Sequence, residues 1–250
     1  MPQIVLENIC KYYNGFRALE NITVTIEDNA TTAIVGPSGG GKSTLIQLIN
    51  GLVRPDRGRV VVFGEPIDYN DLPRLRRQIG YAVQGTGLFP HMKVWDNITL
   101  LAKLADWDRS KTIKRAECLM DLVDLSRSLK DRYPHELSGG EQQRVGLCRA
   151  MMLNPKIFLL DEPFAALDPI TRDEIHGEFL SLQKSEARTV VMVTHDLREA
   201  LRLARRLVIL KNGMIIQENT REQVLRNPAN EFVKSLVHSQ LENWSLDDIR

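Results

Sequence analysis

Gly36-Pro37-Ser38-Gly39-Gly40-Gly41-Lys42-Ser43-Thr44 is the stretch on which the reading of this chain turns. Gly36, Gly41, Lys42 and Ser43 satisfy the spacing G-x-x-x-x-G-K-[ST]. The apolar, β-branched run Thr31–Val35 leads into it and predicts a strand, while Leu45–Ile49 leads out and predicts a helix. Glycines let successive backbone N–H groups curl round a polyphosphate, and the helix that follows aims its positive dipole end at the same charge. In such a loop Lys42 reaches the β- and γ-phosphates, Ser43 ligates Mg²⁺ and Thr44 bonds the α-phosphate. A glycine-rich turn before an ordinary helix would leave Lys42 without a purpose. The stretch implies a nucleoside triphosphate site.

Working outward, the 250 residues suffice for one large core or a core with a lobe inserted. A net charge of +1 with 43% hydrophobic residues is an ordinary soluble composition, without the basic excess that nucleic acid as main partner would require. No apolar run approaches the roughly 20 residues of a membrane span, and Met1-Pro2-Gln3-Ile4 lacks a signal-peptide layout. Cys10, Cys118 and Cys148 are scattered and odd in number, which reads as reduced, mostly packed thiols of a cytosolic protein.

The first sixty residues read as β-rich, with short runs at Ile4–Ile9, Ile22–Ile26, Thr31–Val35 and Arg59–Phe63 between turns such as Asn14-Gly15. Ile79–Val83 gives one more strand, ending at Gln84. From Val94 to about Leu153 the period becomes helical: Val94, Ile98, Leu101 and Leu104 recur at helical steps, as do Cys118, Leu119, Leu122, Val123 and Leu125. Strands and helices then alternate through Leu210, which argues for a parallel sheet covered by helices. The expected fold is α/β: a RecA-like P-loop NTPase core with an N-terminal antiparallel β lobe and an inserted α-helical lobe at about 88–153.

Ile157–Leu160 is a buried strand that runs abruptly into Asp161 and Glu162. Parallel sheets place ligands at the carboxyl ends of their strands. Asp161 fits a Mg²⁺ carboxylate, and Glu162 beside it fits a base that orients and deprotonates an attacking water. Thr194-His195-Asp196 closes the next apolar strand at the equivalent end, which favours a γ-phosphate contact by His195. Gln84, at the end of its own strand, offers a neutral Mg²⁺ or water ligand.

Leu137-Ser138-Gly139-Gly140-Glu141-Gln142-Gln143-Arg144 opens a helix with Ser138 as N-cap and Glu141 completing a capping box. A glycine-rich helix start with a serine hydroxyl is a second phosphate-binding element. One chain thus carries two such elements and one phosphate loop.

These six ordered motifs resemble the ATP-binding subunit of an ABC transporter over nearly the whole chain. Gly36–Thr44 matches Walker A, Gln84 the Q-loop, Leu137–Gln143 the signature, Ile157–Glu162 Walker B, Ala166-Leu167-Asp168 the D-loop and His195 the switch histidine. The resemblance implies that Tyr13 stacks on adenine, and that two copies face head to tail, with Ser138, Gly139 and Gly140 of one capping the ATP on the other's Walker A. It implies ATP and Mg²⁺ as cofactors and integral-membrane permease subunits as partners, with an extracytoplasmic solute-binding protein acting indirectly. The location it implies is the cytoplasmic face of the membrane. Ile79–Gln84, Gly87–Met92, Tyr133–Leu137, Leu167–Arg172 and Arg226–Val233 further resemble the importers of quaternary-amine osmoprotectants such as glycine betaine, choline or carnitine. The expected division is an ATP-binding domain at 1–238 and a short tail at 239–250 without the regulatory domain many such members carry. Gln217–Arg221 departs from the family's usual Gly-Thr-Pro turn. An ABC ATPase for another small solute, or a soluble one acting outside transport, stand as alternatives.

Overall fold

A computed structural model describes residues 3–85, 87–165, 167–185 and 188–241. In chain order the elements are β1 (Ile4–Tyr13), β2 (Phe16–Ile26), β3 (Thr31–Val35), α1 (Lys42–Ile49), β4 (Arg57–Val62), β5 (Glu65–Pro66) and α2 (Leu72–Arg76). There follow β6 (Ile79–Ala82), α3 (Val94–Leu104), α4 (Arg109–Leu122), α5 (Gly139–Met151), β7 (Ile157–Asp161) and α6 (Pro169–Ser185). The chain closes with β8 (Thr189–Thr194), α7 (Leu197–Leu203), β9 (Arg206–Lys211), β10 (Met214–Thr220), α8 (Arg221–Arg226) and α9 (Glu231–Leu241). Residue contacts divide these into two compact units, Met1–Arg76 with Thr189–Arg250, and Arg77–Arg188.

The first unit contains an antiparallel sheet in the order β2-β1-β4-β5, the expected β lobe. It also contains the strands β10-β9-β3-β8. β3 runs parallel to both β8 and β9, and every residue of β3 and β8 is buried, as continuous Val/Ile/Thr runs require when both faces are covered. The register pairs Val35 with Thr194, so Gly36 and His195 leave adjacent strands at the same carboxyl edge.

Three features add to or depart from the sequence reading. β10 pairs antiparallel with β9, so the parallel strands carry an antiparallel edge. The Gln217–Arg221 segment is the end of β10, and Thr220 opens α8 through a capping box with Gln223, in place of a turn. α9 also runs through Leu241, so the tail expected from 239 begins inside a helix.

The second unit pairs β6 parallel to β7 and contains α3 to α6. The helical period of α3 holds, with Val94, Asn97, Ile98, Thr99 and Ala102 buried and Leu104 exposed. On α4 the buried face is Thr112, Ala116, Leu119 and Met120, which leaves Cys118 exposed rather than packed. Val94, Ile98, Leu119, Val123 and Leu125 of the expected repeats are buried, so the stripes hold except at Leu104, the last residue of α3, and at Cys118, next to buried Leu119. Cys148 is buried with its thiol donating to the Leu119 carbonyl at 3.4 Å, and burial pushes that thiol's pKa up.

Gly36 is the tightest joint in the first unit. A Cβ there would stand 2.0 Å from the Leu210 carbonyl oxygen of β9. Gly36→Ala therefore forces β9 and the loop apart and should cost about 1–3 kcal/mol, read as a lower denaturant midpoint with unchanged slope.

Candidate functional site

The phosphate loop is built against β9. Gly41 has φ +97 and immediately precedes α1, and a side chain there would meet the Ala18 carbonyl oxygen at 2.5 Å. Only glycine combines that backbone with that approach. From the far side the β9–β10 turn braces the loop: the Gly213 amide donates to the Gly40 carbonyl at 3.1 Å, and the Glu20 amide donates to the Gly213 carbonyl at 2.8 Å. Pro37, Ser38 and Gly39 are exposed at the tip, while Ser43 and Thr44 at the start of α1 are half-buried.

Lys42 is 5% exposed, and its ammonium donates to the carbonyls of Gly36 at 2.8 Å and Pro37 at 2.9 Å. A buried ammonium is costly without partners. These carbonyls hold it beside the cradle, where arriving phosphate oxygens offer it stronger, charged acceptors.

His195 is exposed between β8 and α7. Its turn is fixed on both sides. Asp196 caps α7 by accepting from the amides of Arg198 at 2.8 Å and Glu199 at 3.3 Å. Gln240 of α9 accepts from the Leu197 amide at 2.6 Å and donates to the His195 carbonyl at 3.3 Å. The sequence reading missed Gln240, because it lies beyond the boundary drawn at 238. Tyr13 is 42% exposed on the β lobe, with Lys11 Nζ 5.4 Å from its ring centroid. It presents an open ring face rather than a packed core tyrosine.

The second unit gathers the carboxylates. Asp161 ends β7 at 3% exposure, and Glu162 follows it half-exposed. The Glu162 backbone lies in the left-handed region at φ 48. Among the described non-glycine residues in that region, only Phe63 and Glu162 are neither Asn nor Asp. Such a backbone is unfavourable for glutamate and marks a direction imposed on the side chain by its surroundings. The β6–β7 register pairs Ala82 with Leu160, so Gln84 emerges beside Glu162, and its amide donates to Glu162 Oε2 at 3.4 Å. Tyr81 of β6 is pushed up to about 12 by burial and by the nearby Asp161 carboxylate, so it stays protonated at neutral pH. Asp161, Ser43 and Gln84 all offer hard oxygen donors of the kind Mg²⁺ accepts alongside phosphate oxygens.

Ser138 caps α5 as expected. Its Oγ accepts from the Glu141 amide at 3.2 Å, and its own amide donates to Glu141 Oε2 at 2.7 Å. The hydroxyl is thus engaged as an acceptor, as the expected capping box requires, and keeps its proton to donate. Gln143, buried on the same helix, donates to the Pro163 carbonyl just after Glu162. A Cβ on Gly140 would stand 3.2 Å from Leu167 Cδ2. Helix start, carboxylates and the 167–168 segment therefore form one packed group within this unit. Asp168 accepts from the Thr171 amide at 3.1 Å, and bonds from the Thr171 hydroxyl and backbone hold its carboxyl below the usual range. Ala166 lies outside the described residues.

Asn97 was also missed. It is fully buried on α3, accepts from the Phe89 amide at 2.9 Å, and donates to the carbonyls of Phe89, Met92 and Lys93 at 3.1 to 3.2 Å. One side chain thereby shapes the whole segment after Gln84, with Phe89 left 42% exposed. A polar amide among the apolar Val94, Ile98 and Ala102 was the available signal.

A family model described as ABC transporter matches residues 19–165. The chain belongs to the ABC transporter family. It is 47% identical to the glycine betaine/carnitine/choline transport ATP-binding protein OpuCA of Bacillus subtilis (strain 168), over 98% of this chain and 64% of that one. It is 48% identical to the choline transport ATP-binding protein OpuBA of the same organism, over 94% of this chain and 62% of the relative. The chain thus spans less than two thirds of the length of both relatives. Among solved structures, the ATP-binding cassette MJ0796, a dimer in a post-hydrolysis state bound to ADP and Pi, superposes with a TM-score of 0.82. That pair is 33% identical, over 87% of this chain and 98% of the cassette. No helix among the described residues is long and apolar enough to cross a membrane.

The capping box sets a measurable baseline for α5. Ser138→Ala removes one of its two bonds and should cost about 1 kcal/mol, a fall of roughly 2–4 °C in melting temperature for a chain of this size.

Proposed function

We propose that this chain is the ATP-hydrolysing subunit of a membrane importer for quaternary-ammonium osmoprotectants. The observation that carries the reading is identity of 47–48%, over 94–98% of this chain, to ATP-binding proteins of glycine betaine, carnitine and choline transport. The chemistry of the residues supports the ATPase step. Gly36–Thr44 cradle the phosphates through backbone N–H groups, and Lys42 moves its ammonium from the loop's own carbonyls onto phosphate oxygen. Asp161, Ser43 and Gln84 would hold Mg²⁺, which would neutralise charge on the transferring phosphoryl group. Glu162 orients the water and takes its proton, with Gln84 positioned to steer that carboxylate. His195 contacts the γ-phosphate, and Tyr13 stacks its exposed ring on adenine.

Ser138, Gly139 and Gly140 serve a second copy of the chain in a head-to-tail homodimer, aiming the α5 N-terminus at its ATP, with Asp168 at the same contact. Ser138 retains a hydroxyl proton for this purpose. The dimeric state of the related cassette is in keeping with that arrangement. Closure then depends on ATP, and cleavage releases the pair. The Phe89 segment, held in shape by Asn97 and exposing an aromatic ring, receives the permease, which keeps the chain on the cytoplasmic face of the membrane. The solute-binding protein acts through the permease.

Glu162→Gln tests the reading at both levels. The amide keeps the shape of the site but takes no proton. In cells with the chain and its permease, the wild type should support uptake of labelled glycine betaine or choline, and the variant should bind ATP yet lose most turnover and uptake. Normal ATPase activity in the variant would remove Glu162 from the mechanism. Wild-type uptake of neither solute would overturn the substrate assignment.

A further inference from the structure

The Arg77–Arg188 unit carries an open cleft of about 710 Å³ outside every motif described above. That volume is in the range of small-molecule sites. Trp95 at the start of α3 and Trp107 in the α3–α4 connection both line it and are both half-buried. Each indole already holds a cation on its face. Lys130 Nζ stands 4.6 Å from the Trp95 ring centroid, and Lys111 Nζ stands 3.7 Å from that of Trp107. Three carboxylates share the walls, each beside an ammonium: Asp96 with Lys103 at 2.6 Å, Glu117 with Lys130 at 2.6 Å, and Asp131 with Lys93 at 3.1 Å. Arg109 adds a guanidinium. These ion pairs are solvent-accessible, so rearranging them costs little.

We propose that this cleft binds a zwitterionic quaternary ammonium compound, with its trimethylammonium group on an indole face and its carboxylate on the surrounding lysines and Arg109. The chemical class rests on the solute proposed above; the cleft itself does not depend on that assignment. A lysine ammonium is a compact, strongly hydrated charge and gives up much hydration when it sits on a ring. A quaternary ammonium has no N–H to hydrate and gains more from the same face, for which tryptophan is the best of the aromatic residues. Displacing Lys111 from Trp107 opens that indole face to the trimethylammonium group, with Arg109 and the cleft lysines left to meet the ligand carboxylate. The near balance of basic and acidic groups in the walls selects a molecule bearing both charges over a simple cation. Lys93 connects the cleft to the Phe89 segment, because its carbonyl accepts from Asn97 at 3.2 Å.

The test is a calorimetric and tryptophan-fluorescence titration of the purified full chain with glycine betaine. Saturable binding in the millimolar range or tighter is expected. Choline, which lacks the carboxylate, should bind about tenfold more weakly, and 3,3-dimethylbutyrate, in which a neutral tert-butyl group replaces the ammonium, should not bind. Trp107→Leu should weaken betaine about tenfold, while Trp107→Phe keeps most of the affinity. Arg109→Gln, at an exposed position, should weaken betaine and leave choline unchanged, and it serves should Trp107→Leu fail to fold. Absence of saturable betaine binding, equal binding of 3,3-dimethylbutyrate, or unchanged affinity in a folded Trp107→Leu chain would each overturn the proposal. Betaine uptake that fails while this titration succeeds would strike only the transport assignment.

Discussion

The contact between Gly36 and the Leu210 carbonyl is the constraint on which the nucleotide-binding unit rests. A single carbon atom added at residue 36 would occupy the space of that oxygen. The close approach turns the chain sharply off β3, and the β9–β10 turn then supports the loop through Gly213 and Gly40. The loop's backbone is held before any ligand arrives. A cradle made of backbone N–H groups cannot reorganise by rotamer changes, so its affinity depends on this rigidity.

Lys42 and Glu162 show two ways of holding a charged group in readiness. The Lys42 ammonium is buried and satisfied by two carbonyls of its own loop, which costs nothing in unpaired charge and yields to stronger acceptors. Glu162 is held by its backbone instead, in a conformation that glutamate disfavours, with the Gln84 amide against its carboxylate. Strain of this kind persists only where surrounding structure over-determines it, and here β7 and the Gln143 bond to Pro163 flank the residue on both sides.

Much of this was legible in the sequence, because strand-to-helix switches are written in periodicity and the motif residues leave that periodicity at strand ends. Thr31–Val35 was read to the residue, as were the two acids closing β7. Phase was harder than period. Cys118 fits a helical repeat and still faces solvent, one residue of rotation from buried Leu119, and Leu104 is exposed as the last residue of α3. β10 escaped because an edge strand with Gln217, Glu218 and Asn219 has little apolar alternation, yet Gln217 is buried by bonds to Asn227 and Ala229. Gln240 escaped because its importance lies in backbone groups 43 and 45 residues away, and no local pattern records those.

In the proposed function the loop at Gly36–Thr44 is the nucleotide cradle, and Lys42 transfers its ammonium to bound phosphate. Melting temperature with and without MgATP, compared between the wild type and Lys42→Ala, tests it most directly, because a ligand of the folded state raises the transition by mass action. The wild type should melt at a clearly higher temperature with saturating MgATP, and the folded variant should show little or no rise at the same concentration. An equal rise in both chains would contradict the claim.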